Sequence, residues 1–168
     1  MTASLLDDAM AHHVWATEAL IDTCDDLTPE QLSSPAPGTY GSILDTFRHL
    51  VTTDCWYLTF FNDQPQRADE DEPREMDLHE LRAVITANGK DWMQLLATGL
   101  DGEADMVEHG DGWNFHSPTG FRLAQVIQHG TDHRSQICTA LTSLSVEHPA
   151  IDLWAYGEAT GRTRPEYL

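Results

Sequence analysis

The sequence predicts an all-α fold, a four-helix bundle with a long loop between helices three and four and a short C-terminal helical segment. Four long stretches repeat their apolar residues at a spacing of three and four, which is typical of amphipathic helices. Proline, glycine and acidic residues separate these stretches and mark the loops. Long amphipathic helices within one domain pack as a bundle. Because the chain of 168 residues is 40% hydrophobic, it can bury one core, and we predict a single domain over residues 1–168.

The first helix is predicted over Ser4–Cys24, where apolar residues follow a helical period and acidic residues lie off that face. Thr28, Pro29 and Gln31 then supply an N-cap, a first-turn proline and a capping-box partner. They predict a short helical turn over 28–33, and the prolines that follow prevent its extension.

The second helix is predicted over Ser42–Asn62 and the third over Asp77–Leu96. Asp77 and Glu80 form a capping box at the start of the third helix. An acidic, proline-containing stretch over 63–75 predicts a solvated connection between the two.

The fourth helix is predicted to begin at Ser117 or Thr119, with the intervening proline in its first turn, and to extend to Leu144. The segment 99–117 before it is rich in glycine, aspartate and aromatic residues. A loop of this length is often functional or contains a small hairpin. The tail over 151–156 carries enough apolar surface to pack back on the bundle.

Charge is the strongest compositional signal. Nine Lys plus Arg residues oppose 28 Asp plus Glu residues, a formal net charge of −19, which argues against nucleic acid as a partner. No apolar run approaches the roughly 20 residues that span a bilayer, and the N-terminus is acidic where a signal peptide is basic. The three cysteines lie in apolar patterns, which predicts reduced thiols. We therefore predict a cytoplasmic protein with a small-molecule substrate, no nucleic-acid or membrane partner, and a homodimeric state, the commonest assembly.

A histidine pair carries the clearest chemical signal. His129 and His133 stand four residues apart on the fourth helix, so both imidazoles lie on one face and can reach a single ion. A third ligand has to come from another helix, and His49 lies deepest in a long helical pattern. Asp45, one turn earlier, is a candidate to orient its ring. Three neutral imidazoles suit zinc, nickel, iron or copper and leave a position for water or substrate.

The residues alone leave a second interpretation open. His49 can equally be a hydrogen-bonded core histidine, with His129 and His133 forming a polar patch. Cys138 lies five residues after His133, an offset that turns it to another face of the helix, and we predict that it is a structural thiol.

Four motifs carry a resemblance to a known family. They are R-H-L at Arg48–Leu50, H-G-T-D-H-R-S-Q-I at His129–Ile137, H-V-W-A at His13–Ala16 and P-A-I-D-L-W at Pro149–Trp154. The chain resembles the DinB family of metal-binding four-helix bundles, which also includes YfiT-like proteins and thiol-dependent S-transferases. The resemblance spans nearly the whole chain. It implies that His49, His129 and His133 bind a divalent metal, often zinc or nickel, and that the chemistry is transfer or isomerisation with a low-molecular-weight thiol.

The leading hypothesis is a metal-dependent transferase. A thiol binds at the open metal position as its thiolate, the nucleophilic form, and attacks a small electrophile. We expect the first helix, the long loop and the tail to wall the pocket. Two alternatives remain: hydrolysis by metal-bound water, and a non-enzymatic metal-binding or stress protein.

Overall fold

The computed structural model of the chain describes residues 6–61 and 75–166. Its elements are α1 Asp7–Cys24, α2 Pro29–Leu32, α3 Ile43–Phe61, α4 Leu78–Ala97, β1 Asp105–Gly110, β2 Trp113–Pro118, α5 Thr119–Ser143 and α6 Leu153–Thr160. The prediction of an all-α fold is confirmed: the four long helices are α1, α3, α4 and α5, and the C-terminal segment is α6. Apart from Glu75, the predicted connection over 63–75 lies outside the described residues, as does the predicted start of the first helix at Ser4.

Capping residues set the start of two helices where the sequence predicted them. Thr28 Oγ1 accepts a hydrogen bond from the Gln31 backbone N–H at 3.3 Å, and the Gln31 side chain accepts one from the Thr28 N–H at 2.9 Å. Asp77 and Glu80 exchange the same pair of bonds at the start of α4. These bonds satisfy N–H groups that have no partner inside the helix. The position of Pro118 differs from the prediction that it lies in the first turn of the fourth helix. Its backbone is extended, with ψ 144°, so Pro118 is the N-cap of α5.

The long loop before α5 contains an antiparallel hairpin, in a segment where no strands were predicted. Strand β1 pairs with β2 in a register that ends with Gly110 opposite Trp113. Asp111 and Gly112 form the two-residue connection. Gly112 has φ +76°, a conformation that glycine adopts without steric cost, and Asp-Gly is a favoured dipeptide at such turns.

The four long helices form a bundle in which α1 and α3 each pack against both α4 and α5. The tail returns to the bundle, as predicted, because α6 packs against α1. Tyr156 of α6 is buried, with its ring edge-on to Trp15 at 5.7 Å between centroids, whereas Trp154 is 76% exposed. Within residues 6–61 and 75–166, no helix has the length and apolar character needed to cross a membrane.

The core of the bundle consists of two apolar clusters with a polar layer between them. On α3, for example, Asp54 falls between Val51 of one cluster and Leu58 of the other. The buried residues of the polar layer are His13, Asp54, Asn88 and Arg134, on α1, α3, α4 and α5 respectively. The layer lies beside the helix faces that carry the candidate ligands, and it therefore bears on the site.

Candidate metal centre

Three histidines from two helices face one another where α3 packs against α5. His49 belongs to α3, and His129 and His133 belong to α5. One ring nitrogen from each histidine lies within 4.8 Å of the other two, and His49 Nε2 lies 3.2 Å from His129 Nε2. The structure thus brings together the three residues that the sequence singled out. Nitrogens this close can be shared by one ion, since zinc binds histidine nitrogen at about 2 Å.

Hydrogen bonds on the far side of two rings orient the candidate ligands. Gln136 Oε1 accepts a hydrogen bond from the Tyr40 backbone N–H at 2.8 Å and lies 3.3 Å from His133 Nδ1. Because a backbone N–H can only donate, the atom beside it is the amide oxygen, and His133 Nδ1 must then carry the proton. This leaves a lone pair on His133 Nε2 for an ion. His49 Nδ1 lies 3.5 Å from Thr53 Oγ1 in a similar arrangement.

Two tyrosines form the walls of the site. The Tyr40 ring stacks on His49 with 4.1 Å between centroids and 11° between planes, and it meets His133 edge-on at 5.5 Å. Tyr57 meets His129 edge-on at 5.9 Å. Tyr40 lies in the loop before α3 and Tyr57 on α3 itself, so these two walls come from segments that the sequence did not predict to line the site. Tyr40 is 57% exposed, so this wall borders solvent.

Burial lowers the pKa of all three histidines. The pKa of His129 falls from 6.5 to about 4, first because burial disfavours the imidazolium and then because His133 and His49 are like charges when protonated. Burial and then His133 lower the pKa of His49. Burial also lowers the pKa of His133, although the hydrogen bond that His133 donates to Gln136 acts to raise it. The three rings are therefore neutral near pH 7, which is the form that binds metal.

Comparison with known proteins identifies the family of this chain. The sequence model of the DinB family matches residues 1–166, nearly the whole chain. The chain belongs to the DinB family. The resemblance drawn from the sequence motifs is thereby confirmed. No curated protein matches the chain.

Asp45 plays a different part in this DinB chain from the one the sequence suggested. Its Oδ2 accepts hydrogen bonds from Ser42 Oγ at 2.6 Å and Ser42 N–H at 3.3 Å, while Ser42 Oγ accepts one from the Asp45 N–H at 3.1 Å. The carboxylate that was expected to orient His49 therefore caps the start of α3. Thr53, one turn after His49, is the described side chain that lies beside His49 Nδ1.

Next to the three histidines, the bundle carries a buried polar network that the sequence did not reveal. Arg134 Nη1 donates to His13 Nδ1 at 3.0 Å, so His13 Nε2 carries the proton and donates to Asp54 Oδ1 at 3.2 Å. Asp54 also accepts from Asn88 Nδ2 at 2.8 Å and Trp92 Nε1 at 3.1 Å. Burial lowers the pKa of Arg134 to about 10, which still leaves it charged near pH 7. The network joins all four long helices and fixes α5, which carries two of the candidate ligands.

Gly130 lets this network form. A Cβ atom at Gly130 would lie 2.4 Å from His13 Nδ1 and 2.8 Å from Arg134 Nη1. Packing thus explains the glycine of the H-G-T-D-H-R motif, because only a residue without a side chain lets the His13 ring approach α5 this closely. One feature of the sequence could have indicated the buried network: Asp54 lies inside an otherwise apolar helical stripe, where a charged residue needs buried partners.

A groove of about 820 Å³ lies on another side of α5 and contains none of the three histidines. Its lining comes from α1, α5 and the tail, and includes His12, Cys138 and Leu153. Burial raises the pKa of the Cys138 thiol, which disfavours the reactive thiolate. This favours the predicted structural role for Cys138 over a nucleophilic one.

Proposed function

We propose that this DinB-family chain is a metal-dependent transferase, in which a low-molecular-weight thiol attacks a small electrophile. One observation carries the proposal: the ring nitrogens of three histidines converge within 4.8 Å of one another. Family membership supports it, because the DinB resemblance implies a divalent metal and thiol chemistry. We propose zinc or nickel as the metal, held by His49, His129 and His133.

The donor set fits such an ion. Three histidine nitrogens suit a borderline metal better than calcium or magnesium, which prefer oxygen. Within the described part of the chain, the cluster consists of these three ligands, so a coordination position is left for an exogenous group. A metal bound there would hold a thiol as its thiolate, the nucleophilic form.

The residues around the cluster suit a small molecule with an apolar part. Trp56 and Phe60 lie on the same face of α3 as His49, seven and eleven residues further along. Both are half-buried, and their rings meet edge-on with 4.6 Å between centroids. They offer an apolar surface to the carbon skeleton of a thiol or an electrophile. Tyr40, stacked on His49, bounds the opposite end of this surface.

The remaining parts of the proposal concern partners and location. The net charge of −19 supports a small-molecule substrate over nucleic acid. A homodimer is the commonest assembly and is proposed on that basis. A cytoplasmic location is supported by the three cysteines, none of which forms a disulfide.

The first test is the metal content of untagged protein, measured by mass spectrometry. We expect about one zinc or nickel ion per chain in the wild type, and its loss in His49→Ala, since two histidines alone do not complete the site. His79→Ala is the matched control, because His79 is exposed on α4, away from the cluster. If the wild type stays metal-free after reconstitution with both ions, the metal site is disproved, and a non-enzymatic bundle becomes the better interpretation.

The second test separates transfer from hydrolysis. Metal-loaded protein is incubated with a small electrophile, with and without a low-molecular-weight thiol, and the products are identified. We expect a thioether product that forms only with thiol and only when His49 is present. Ester or amide cleavage without any thiol requirement would instead show hydrolysis by metal-bound water, and the transferase proposal would be wrong.

A further inference from the structure

Arg122 is a buried arginine whose guanidinium has an unpaired edge. Arg122 lies on α5, and the residue is 6% exposed. Its Nε donates to Ser117 Oγ at 2.6 Å, and its Nη1 lies 3.6 Å from Glu108 Oε2. Its Nη2 is inaccessible to solvent and has no hydrogen-bond partner within the described part of the chain. Unpartnered buried donors are uncommon in native proteins and call for an explanation.

The position of Arg122 relates it to the candidate metal centre. It precedes His129 by seven residues, two helical turns, so both lie on one face of α5 and are separated by about 10 Å along the helix axis. On α3, Phe60 stands eleven residues after His49, also on one face. The Arg122 guanidinium carbon lies 4.5 Å from the centre of the Phe60 ring. The seam between α3 and α5 therefore has the three histidines at one end and Arg122 with Phe60 at the other.

Two aromatic rings hold the guanidinium in place. Phe60 lies against it from α3, and Phe115 of β2 lies 6.0 Å from it. An arginine stacked on aromatic faces keeps its remaining donor fixed in the guanidinium plane, where it can form a charge-assisted hydrogen bond to a carboxylate. Phe115 is 52% exposed, so the site borders solvent on the Phe115 side. Glu108 occupies one side of the guanidinium, and the Nη2 edge remains.

We propose that Arg122 binds a carboxylate of the thiol cosubstrate, whose sulfur is held at the histidine cluster. This inference rests on the proposed function, because it assumes that the molecule held at the metal is the thiol. The thiol would then be anchored at both ends of the seam, with its carbon chain against Trp56 and Phe60. A protein of net charge −19 has few sites that attract an anion, and a buried arginine with a donor to spare is one.

The test uses two probes that differ only in the carboxylate. 8-Mercaptooctanoate and 8-mercaptooctanol share the thiol and a chain long enough to cover the seam. Their binding to full-length, zinc-loaded protein is measured by calorimetry. We expect the wild type to bind the acid at least about tenfold more tightly than the alcohol, as a charge-assisted hydrogen bond provides. Arg122→Met should abolish this preference by weakening the acid alone.

Two further variants control for charge and folding. Arg162→Met removes one positive charge from an exposed residue that pairs with Asp8 at 2.5 Å, and it should keep the preference for the acid. Arg122→Lys retains the charge without the planar fork and should show a reduced preference. Thermal melting establishes that each variant is folded. Equal affinity of the wild type for the acid and the alcohol would overturn the proposal, whether or not Arg122→Met folds.

A last arm separates failure of this inference from failure of the proposed function. Octanoate, which has no thiol, is titrated onto metal-free wild type and Arg122→Lys, with tryptophan fluorescence as the readout. Saturable binding that weakens in Arg122→Lys, in a protein that takes up no metal, would support an Arg122 carboxylate site and refute the metal-dependent transferase. Absence of both octanoate binding and acid preference would overturn the Arg122 site, even if the metal and the thiol bind.

Discussion

Two histidine-containing clusters occupy neighbouring positions in the bundle, and they differ in how their polar groups are satisfied. In the buried network of His13, Asp54 and Arg134, each ring nitrogen of the histidine has a partner on another residue of the network. In the ligand cluster of His49, His129 and His133, His49 Nε2 lies 3.2 Å from His129 Nε2. Both clusters include residues of α3 and α5, and these residues lie within a turn or two of one another along each helix.

The comparison indicates what makes a histidine available to a ligand. His13 is 1% exposed and saturated by neighbours, so it can accept no ion without losing a hydrogen bond. In the ligand cluster, His49 Nε2 and His129 Nε2 face each other, while Gln136 lies beside His133 Nδ1 and Thr53 beside His49 Nδ1. A structural histidine therefore differs from a candidate ligand in having a hydrogen-bond partner for both ring nitrogens. Burial alone does not distinguish the two. The buried network in turn holds α5 in the register that the ligand cluster needs.

The largest difference between the clusters should appear in the stability of the metal-free protein. Asp54→Ala leaves Arg134 as an uncompensated buried charge, which we expect to lower the free energy of unfolding by about 3–5 kcal/mol. His129→Ala removes a half-buried ring that is hydrogen-bonded to His49. We expect it to lower the free energy of unfolding by less than about 1.5 kcal/mol. Urea denaturation without metal measures both. Equal losses in the two variants would contradict the division into a structural cluster and a ligand cluster.

The helices and their caps were predictable from sequence because they depend on local physics. The capping box of Asp77 and Glu80 involves residues three apart, and the apolar period of each long helix involves a single turn. The hairpin had a local signal as well, the Asp111-Gly112 turn, but its strands are short and their apolar pattern is weak.

The candidate site was only partly predictable, for the opposite reason. The spacing of His129 and His133 is a property of one helix, whereas the choice of His49 depends on which face of α3 meets α5. The partners of His13 and Asp54 lie on three other helices, so sequence spacing carries no information about them. The prediction that Asp45 orients the His49 ring was wrong, because the Asp45 carboxylate is hydrogen-bonded to Ser42 at the start of α3.

A smaller effect should follow from filling the space between the clusters. Gly130→Ala would place a Cβ 2.4 Å from the His13 ring, which we expect to cost about 2 kcal/mol through overpacking of the buried network. Gly102→Ala is the control, because a Cβ there would meet nothing within 4 Å. Chemical denaturation of the metal-free proteins measures both. If Gly130→Ala is as stable as the control, His13 does not need close contact with α5, and the network cannot be what sets the helix register.

The smallest effect concerns the hydrogen bond that prepares one ligand. Gln136→Leu removes the acceptor shared by His133 Nδ1 and the Tyr40 N–H, so either His133 nitrogen can carry the proton. We expect about tenfold weaker zinc binding, about 1.4 kcal/mol, measured by competition with a zinc chelator. Gln125→Leu makes the same change at an exposed position of α5 and should leave the affinity unaltered. Unchanged zinc affinity in Gln136→Leu would mean that the coordination geometry selects the His133 tautomer without help.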